Sequence, residues 1–274
     1  METFTATFLV VFRESFEAAL IVGIVLTVLV RLGVSKYTSH VLASSAAAVA
    51  ASFALAFLYQ WLTHDLREEL EGFLEAGISV VACGVLTHMI FWMEKQGRRI
   101  QSEIEQKVRE AVVREEYLVL VSLPFFAVFR EGAETVLFLG AVAIQHSQAV
   151  SWVGGVAGVT GALVLAWLLF FAGKRVPLKA FFRGTGVLLL LIGGGLLAYG
   201  IHEFQEMGHL PFLEQTAWDL NPFLNEKEGF GAFLKAVFGY NGNPSVLEVL
   251  AYFSYFVIIL TLLRSFTKQA PQRA

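Results

Sequence analysis

Seven apolar stretches, each long enough to cross about 30 Å of hydrocarbon, govern what this chain can fold into. They lie near residues 4–30, 40–62, 73–93, 117–143, 151–172, 180–200 and 245–264. Inside a bilayer every backbone polar group must be satisfied by the chain itself, so stretches of this length fold as α-helices. The 274-residue chain is therefore predicted to be an all-α, multi-pass membrane protein, a single transmembrane domain over 1–274 with lipid as its surroundings. Composition agrees: charged residues make up 16%, against roughly 25% in an ordinary soluble domain, and the mean hydropathy is +0.65. A net charge of −3 excludes the basic footprint of a nucleic-acid binder. The single cysteine, Cys83, excludes an internal disulfide and a cysteine-built zinc or cluster site, and reads as a small packing residue. No basic residue precedes Arg13, so the charged start of a signal peptide is missing and the first stretch is expected to remain as a spanning helix.

Basic residues set the predicted orientation. With the N-terminus outside, fifteen Lys and Arg fall inside, from Arg31 and Lys36 to Arg264, Lys268 and Arg273, and only Arg67, Lys227 and Lys235 fall outside. The positive-inside rule then gives N-out, C-in and an odd number of spans. The segment 94–116 places Glu103, Glu105 and Glu110 four residues before Lys107, Arg109 and Arg114, the pattern of a solvated helix extending from the third span. The outer loops are acidic, with Asp65, Glu68, Glu69 and Glu71 in one and Glu203, Glu206, Glu214, Asp219, Glu226 and Glu228 in another. Such a rim concentrates cations, although solvated loop charge explains it equally well.

Charges inside the spans carry the functional signal. The first span contains Arg13-Glu14-Ser15-Phe16-Glu17 and the fourth contains Arg130-Glu131-Gly132-Ala133-Glu134, each preceded by Phe. A charge at the bilayer centre costs roughly 2.5–3.5 kcal/mol even on the lenient insertion scale, so these six must pair or line a wet cavity. Glu14 and Glu17 project from one helix face, as do Glu131 and Glu134, and each Arg reaches the second Glu of its motif at i,i+4. If the two helices pack together, four carboxylates and two guanidinium groups converge with a net charge of −2, which a di- or trivalent cation neutralises. Carboxylate oxygens are hard ligands suited to iron, manganese, magnesium or calcium. The first span runs outside to inside and the fourth the reverse. Residues 1–93 and 117–203 are therefore expected to be inverted repeats of three helices, with the seventh helix added; such repeats place a substrate site near the midplane.

On these two motifs the sequence resembles the high-affinity iron permeases, the oxidase-linked iron transporters of fungi and bacteria. Further points of similarity are Glu71-Gly72 and Phe91-Trp92-Met93 at the ends of span three. Others are His202-Glu203-Phe204-Gln205-Glu206 after span six, and Gly239-Tyr240, Pro244-Ser245 and Glu248 leading into span seven. The first motif departs from the family pattern in having Ser15 where Gly is usual, and no carboxylate is lost by it. The resemblance implies iron uptake across a cell membrane, plasma or inner, with Glu14, Glu17, Glu131 and Glu134 as metal ligands and Arg13 and Arg130 as supporting ion pairs. It implies no permanently bound cofactor, iron as Fe²⁺ or Fe³⁺ being the cargo. Any ferroxidase or extracytoplasmic iron-delivery protein is then a separate partner.

A candidate entrance site comprises Glu71 and Glu75, at i,i+4 on the outer end of span three, with His202, Glu203 and Glu206 after span six. Acidic residues also suit a solvated helix start for electrostatic reasons alone. His88, within span three, reads as a satisfied polar contact. The glycines Gly154, Gly158 and Gly161 and Gly193 to Gly195 permit close helix packing, within one chain or between copies in a homo-oligomer. Two rival functions stay open at this point: a transporter of Mn or Pb on the same scaffold, and an intramembrane di-iron enzyme. The latter has a single Glu-x-x-His, Glu206 to His209, to build on.

Overall fold

The computed structural model describes residues 2–63, 68–96, 100–146, 151–170, 178–226 and 228–269. Among them the chain forms α-helices and no strand: α1 (Glu2–Arg31), α2 (Thr38–Thr63), α3 (Glu68–Gln96), α4 (Ile100–Val113), α5 (Tyr117–His146), α6 (Trp152–Phe170), α7 (Leu178–Glu206), α8 (Gly229–Phe238) and α9 (Val246–Gln269). Glycine in the left-handed region ends two of the long ones. Gly33 (φ 72°) and Gly208 (φ 73°) follow α1 and α7, and the next amides, of Val34 and His209, reach back to the carbonyls of Leu29 and Phe204 at 3.0 Å each.

Five helices, α2, α3, α6, α7 and α9, are long and apolar enough to cross a membrane. The two motif helices, α1 and α5, have 30 residues each, about 45 Å at 1.5 Å per residue, but carry three charges apiece in mid-helix. They are the central pair and run antiparallel. Ala6 packs with Val142 at one end, the motifs face each other in the middle, and Val28 and Leu29 share a cluster with Leu120 at the other end.

Each motif helix leans on a small-residue helix running parallel to it. Gly154 and Gly158 of α6 abut the α1 backbone at Phe4 and at Phe8 and Phe12, with Ala162 and Ala166 continuing the buried seam. Gly132 and Gly140 of α5 abut Ser52 and Tyr59 of α2. The contacts match in kind: Gly23 and Gly140, each ten residues after its motif arginine, are covered by an aromatic ring of the neighbouring helix, Phe170 and Tyr59. Outside this group α3 and α7 pair antiparallel, with Gly72 against Met207 and Gly200 against Ala76 and Val80. Helix α9 covers α7, where Tyr252, Tyr255 and Phe256 fill the space above Gly193 and Gly194. Cys83 is buried in the cluster that α3 and α7 share.

Two short helices differ from expectation. Residues 100–113 form a solvated helix on one side only: Ile104, Val108 and Ala111 are buried in a cluster with α1 and α5. Two of the acids there also accept hydrogen bonds from glutamines, Glu105 from Gln101 and Glu110 from Gln106 at 3.0 and 2.8 Å, while Arg114 lies 3.9 Å from Glu116. An apolar i, i+4, i+7 stripe is enough to dock a helix that its charges alone leave free. Helix α8 was not expected, because ten residues are too few to span. It packs against α7 and α1, and Gly239 at its end sits on Gly195, well inside the length of α7. The Tyr252 hydroxyl donates to the Phe238 carbonyl at 2.6 Å and caps its last turn.

Candidate metal site between the two motif helices

The motif residues meet because α1 and α5 cross in register with small residues behind them. Arg13, Glu14 and Glu17 are buried, the first two to 2% and 1% exposure, and Glu131 is buried to 2%. The Arg13 fork takes both acids of its own helix: Nη1 lies 2.6 Å from Glu14 Oε1 and Nη2 lies 2.8 Å from Glu17 Oε1. On α5, Arg130 Nη2 lies 2.6 Å from Glu131 Oε1 and Nε lies 3.5 Å from Glu134 Oε1. The i,i+4 pairs read from sequence are thus present. The shorter contact in each motif is the one to the adjacent Glu, which helix spacing alone does not suggest. The Arg13–Glu17 contact is electrostatic, at ion-pair distance without hydrogen-bond alignment.

Across the crossing, carboxylate oxygens of Glu14, Glu131 and Glu134 lie within 4.8 Å of one another. Each of these three residues has one buried oxygen, Oε2, with no hydrogen-bond partner among the described residues. A buried carboxylate oxygen left unpaired is costly, and three together form a concentrated demand for positive charge. Glu17 is not in this group, although Glu131 and Glu134 are near enough to act on it electrostatically. The two halves differ in access. Arg130 and Glu134 keep side-chain exposures of 44% and 18%, whereas Arg13 and Glu14 are shut in.

Helix α3 contributes residues that motif spacing does not reveal. Arg13 Nη1 and Nη2 point at the sulfurs of Met89 and Met93, at 2.9 and 2.8 Å, and the Trp92 ring lies under the Arg130 guanidinium with 4.7 Å to its centroid. The signal available in the sequence was the spacing, Met89 and Met93 being i,i+4 with Trp92 between. A cavity of about 200 Å³ borders Arg13 between α1 and α7, but Phe8, Phe12, Leu188 and Ile192 line it and no carboxylate does, so it offers nothing to a cation.

The other candidates fall at the far end of α3 and α7. The Glu71 side chain lies outside the described residues. Glu75 accepts a hydrogen bond from the Tyr199 hydroxyl at 3.1 Å, and Glu203 is near enough to act on the same hydroxyl. His202 sits 3.2 Å from Glu206 and 3.0 Å from Glu248. Glu248 is buried, holding the Asn241 amide at 2.8 Å and the Ser245 backbone N–H at 3.2 Å, while Ser245 Oγ accepts from the Glu248 N–H. This reciprocal pair caps the start of α9. Among the described residues, the entrance candidates therefore fall around two partners, Glu75 and Glu203 around Tyr199 and Glu206 beside His202, rather than in one carboxylate cluster. His88 is exposed on α3 rather than satisfied within the bundle.

Residues 4–267 match the iron permease FTR1 family. The chain belongs to that family. Ferrous iron permease EfeU of Escherichia coli O6:H1 (strain CFT073) is 33% identical over 252 residues, which cover 91% of each chain. The protein of the same name from Yersinia pestis is 32% identical over 257 residues, 93% of this chain and 91% of the relative. No solved structure matches. The family and its several membrane-length apolar helices make this permease a membrane protein, and a transporter rather than an enzyme. The di-iron rival fails on geometry too, because α7 ends at Glu206 and His209 lies beyond Gly208, so Glu206 and His209 do not share a helix face.

Proposed function

We propose that this permease carries iron inward across the cell membrane through the carboxylates at the α1–α5 crossing, with Fe²⁺ as cargo, the ion its EfeU relatives are named for. One observation carries the reading. Glu14, Glu131 and Glu134 bring oxygens within 4.8 Å of each other in the interior of an apolar bundle, and each has a buried oxygen unpaired. The arginines neutralise one oxygen of each acid they touch and leave the rest to a hard or borderline cation. Glu17 completes the site as the fourth ligand.

The topology follows from the same pair. Charges turned toward each other let α1 and α5 span beside α2, α3, α6, α7 and α9, seven in all, with the N-terminus outside and the C-terminus inside. Residues 1–93 and 117–203 then form inverted repeats, with the seventh helix over about 245–264. The antiparallel motif helices and the matched pairs Gly23–Phe170 and Gly140–Tyr59 support this. Rocking of one repeat against the other opens the site inward, and an inside-negative potential assists by roughly 2.3 kcal/mol per charge per 100 mV. Delivery or oxidation of iron belongs to separate extracytoplasmic proteins; ferroxidase activity purified with this chain alone would contradict that.

Radio-iron accumulation in proteoliposomes tests the site. Single Glu→Gln changes at 14, 17, 131 and 134 keep the side-chain shape and remove one charge. Each is expected to lower uptake at least tenfold, since loss of even an outer-shell metal partner costs about 10–100-fold. Normal uptake in all four variants would remove the site. Full inhibition by Mn²⁺ or Pb²⁺ with little iron transport would assign the scaffold to another metal.

A further inference from the structure

We propose that one turn of α3, Met89 to Met93, positions both motif arginines and thereby sets the affinity of the transport site. The inference rests on the carboxylate site proposed above. Arg13 is buried on all sides, and its guanidinium needs acceptors for its N–H groups. Four lie around the two Nη atoms. Nη1 is held between Glu14 Oε1 at 2.6 Å and Met89 Sδ at 2.9 Å, and Nη2 between Glu17 Oε1 at 2.8 Å and Met93 Sδ at 2.8 Å. Carboxylate on one side and sulfur on the other fix the fork along one direction.

That direction has a consequence for the metal. Without the sulfurs, the unsatisfied acceptors left are Glu17 Oε1, already 2.8 Å from Nη2, and the orphaned oxygens of the site itself, Glu14 Oε2 and Glu131 Oε2. A guanidinium released from α3 turns to them, because charge-assisted bonds to carboxylate are stronger than bonds to a thioether. It then occupies the oxygens that the cation needs and competes with it as a tethered ion. Met89 and Met93 oppose this by giving the two Nη atoms partners on the α3 side, although Nε has none among the described residues. Their uncharged sulfurs add no negative charge to the site.

On the other motif the same turn acts through a ring. Trp92 lies against Arg130 at 4.7 Å and draws the guanidinium toward α3, away from Glu134, whose contact with Arg130 is the longest in the cluster at 3.5 Å. Two arginines of two repeats are thus held by three side chains of one helical turn. Met89, Trp92 and Met93 are positioning residues; none of them is assigned as a ligand.

The experiment is iron uptake in proteoliposomes as a function of iron concentration, with the full chain. Met89→Leu/Met93→Leu keeps volume and apolarity but removes both acceptors. Its half-saturating concentration is expected to rise about tenfold, the order of one lost bond to a charged group, with the maximal rate little changed. Met89→Gln/Met93→Gln restores an acceptor oxygen at each position and is expected to return the half-saturation to near the starting value. A purely structural role would not separate Leu from Gln in this direction, because the buried amide is the more disruptive change. Trp92→Phe keeps a ring face and should transport normally, whereas Trp92→Leu should weaken half-saturation by about 2–5-fold. If both Leu variants keep the original half-saturation, or if Gln fails to restore what Leu loses, the proposal is wrong. Should the methionine double variants not fold, the Trp92 pair decides alone. Glu→Gln changes at 14, 17, 131 and 134 in the same series separate the two ideas: normal uptake in all four removes the site, while lost uptake there beside unaffected α3 variants removes only the α3 inference.

Discussion

Replacing Gly158 by alanine should damage both stability and transport, although the residue touches no motif side chain. A Cβ at Gly158 would stand 2.8 Å from the backbone nitrogen of Phe12 and 3.0 Å from the carbonyl oxygen of Phe8. Neither is a flexible side-chain end, so α1 and α6 themselves must part. Reaching an ordinary contact near 3.4 Å requires a shift of about 0.6 Å at the residue preceding Arg13, and overpacking of this kind costs typically about 1–3 kcal/mol. A displacement approaching 1 Å at a site that depends on geometry can cost on the order of 100-fold in rate. The neighbouring glycine supplies the control. A Cβ at Gly155 meets only the Thr7 methyl, at 3.9 Å, which is ordinary contact. Alanine there should be neutral or gain from better helix propensity, up to about 1 kcal/mol. Thermal unfolding in detergent and iron uptake in proteoliposomes read the two effects. Gly158→Ala should unfold several degrees below Gly155→Ala and transport at least tenfold less, about what a fraction of that displacement removes. Equal melting and equal uptake in the two variants would refute the close α1–α6 contact as the support of the first motif.

Other consequences follow from the same geometry. The third motif positions are not interchangeable: a side chain at Gly132 collides with Ser52, whose hydroxyl is bonded to the Ala48 carbonyl at 2.9 Å, so Gly132→Ser should destabilise by about 1–3 kcal/mol while Ser15→Gly is tolerated, as paired melts would reveal. Ser245→Ala removes one arm of the cap on α9 and should cost about 1 kcal/mol by thermal unfolding. Glu248→Ala should cost more than Ser245→Ala, because it leaves His202, Asn241 and the Ser245 N–H without their shared acceptor, and a smaller loss than at Ser245 would contradict the network. Lys235→Met breaks the 3.0 Å pair with Glu226, which also holds the Gly242 amide at 2.6 Å; it should loosen the α8 return segment and show as faster amide exchange at Gly242, without changing half-saturation for iron.

What the sequence by itself determined was periodicity and cost. Long apolar runs forced helices, and charges too expensive to leave in lipid had to face one another, so Arg13, Glu14, Glu17, Arg130, Glu131 and Glu134 were legible as one converging group before any coordinates. The glycines of α6 were legible as a packing seam for the same reason. Local spacing could not go further, because it describes one helix at a time. Only the tertiary structure decided that Glu14, Glu131 and Glu134 converge most closely while Glu17 stays with Arg13. It also placed Met89, Met93 and Trp92 behind the arginines, 76 to 80 residues away from Arg13 in the first motif's case. The ten-residue α8 carried no spanning signal, and its docking on α1 and α7 depends on Gly195 and Gly239 meeting across a long loop. Two copies of one motif read as equals in sequence. In the fold one is sealed and the other is half open, because their environments come from different helices.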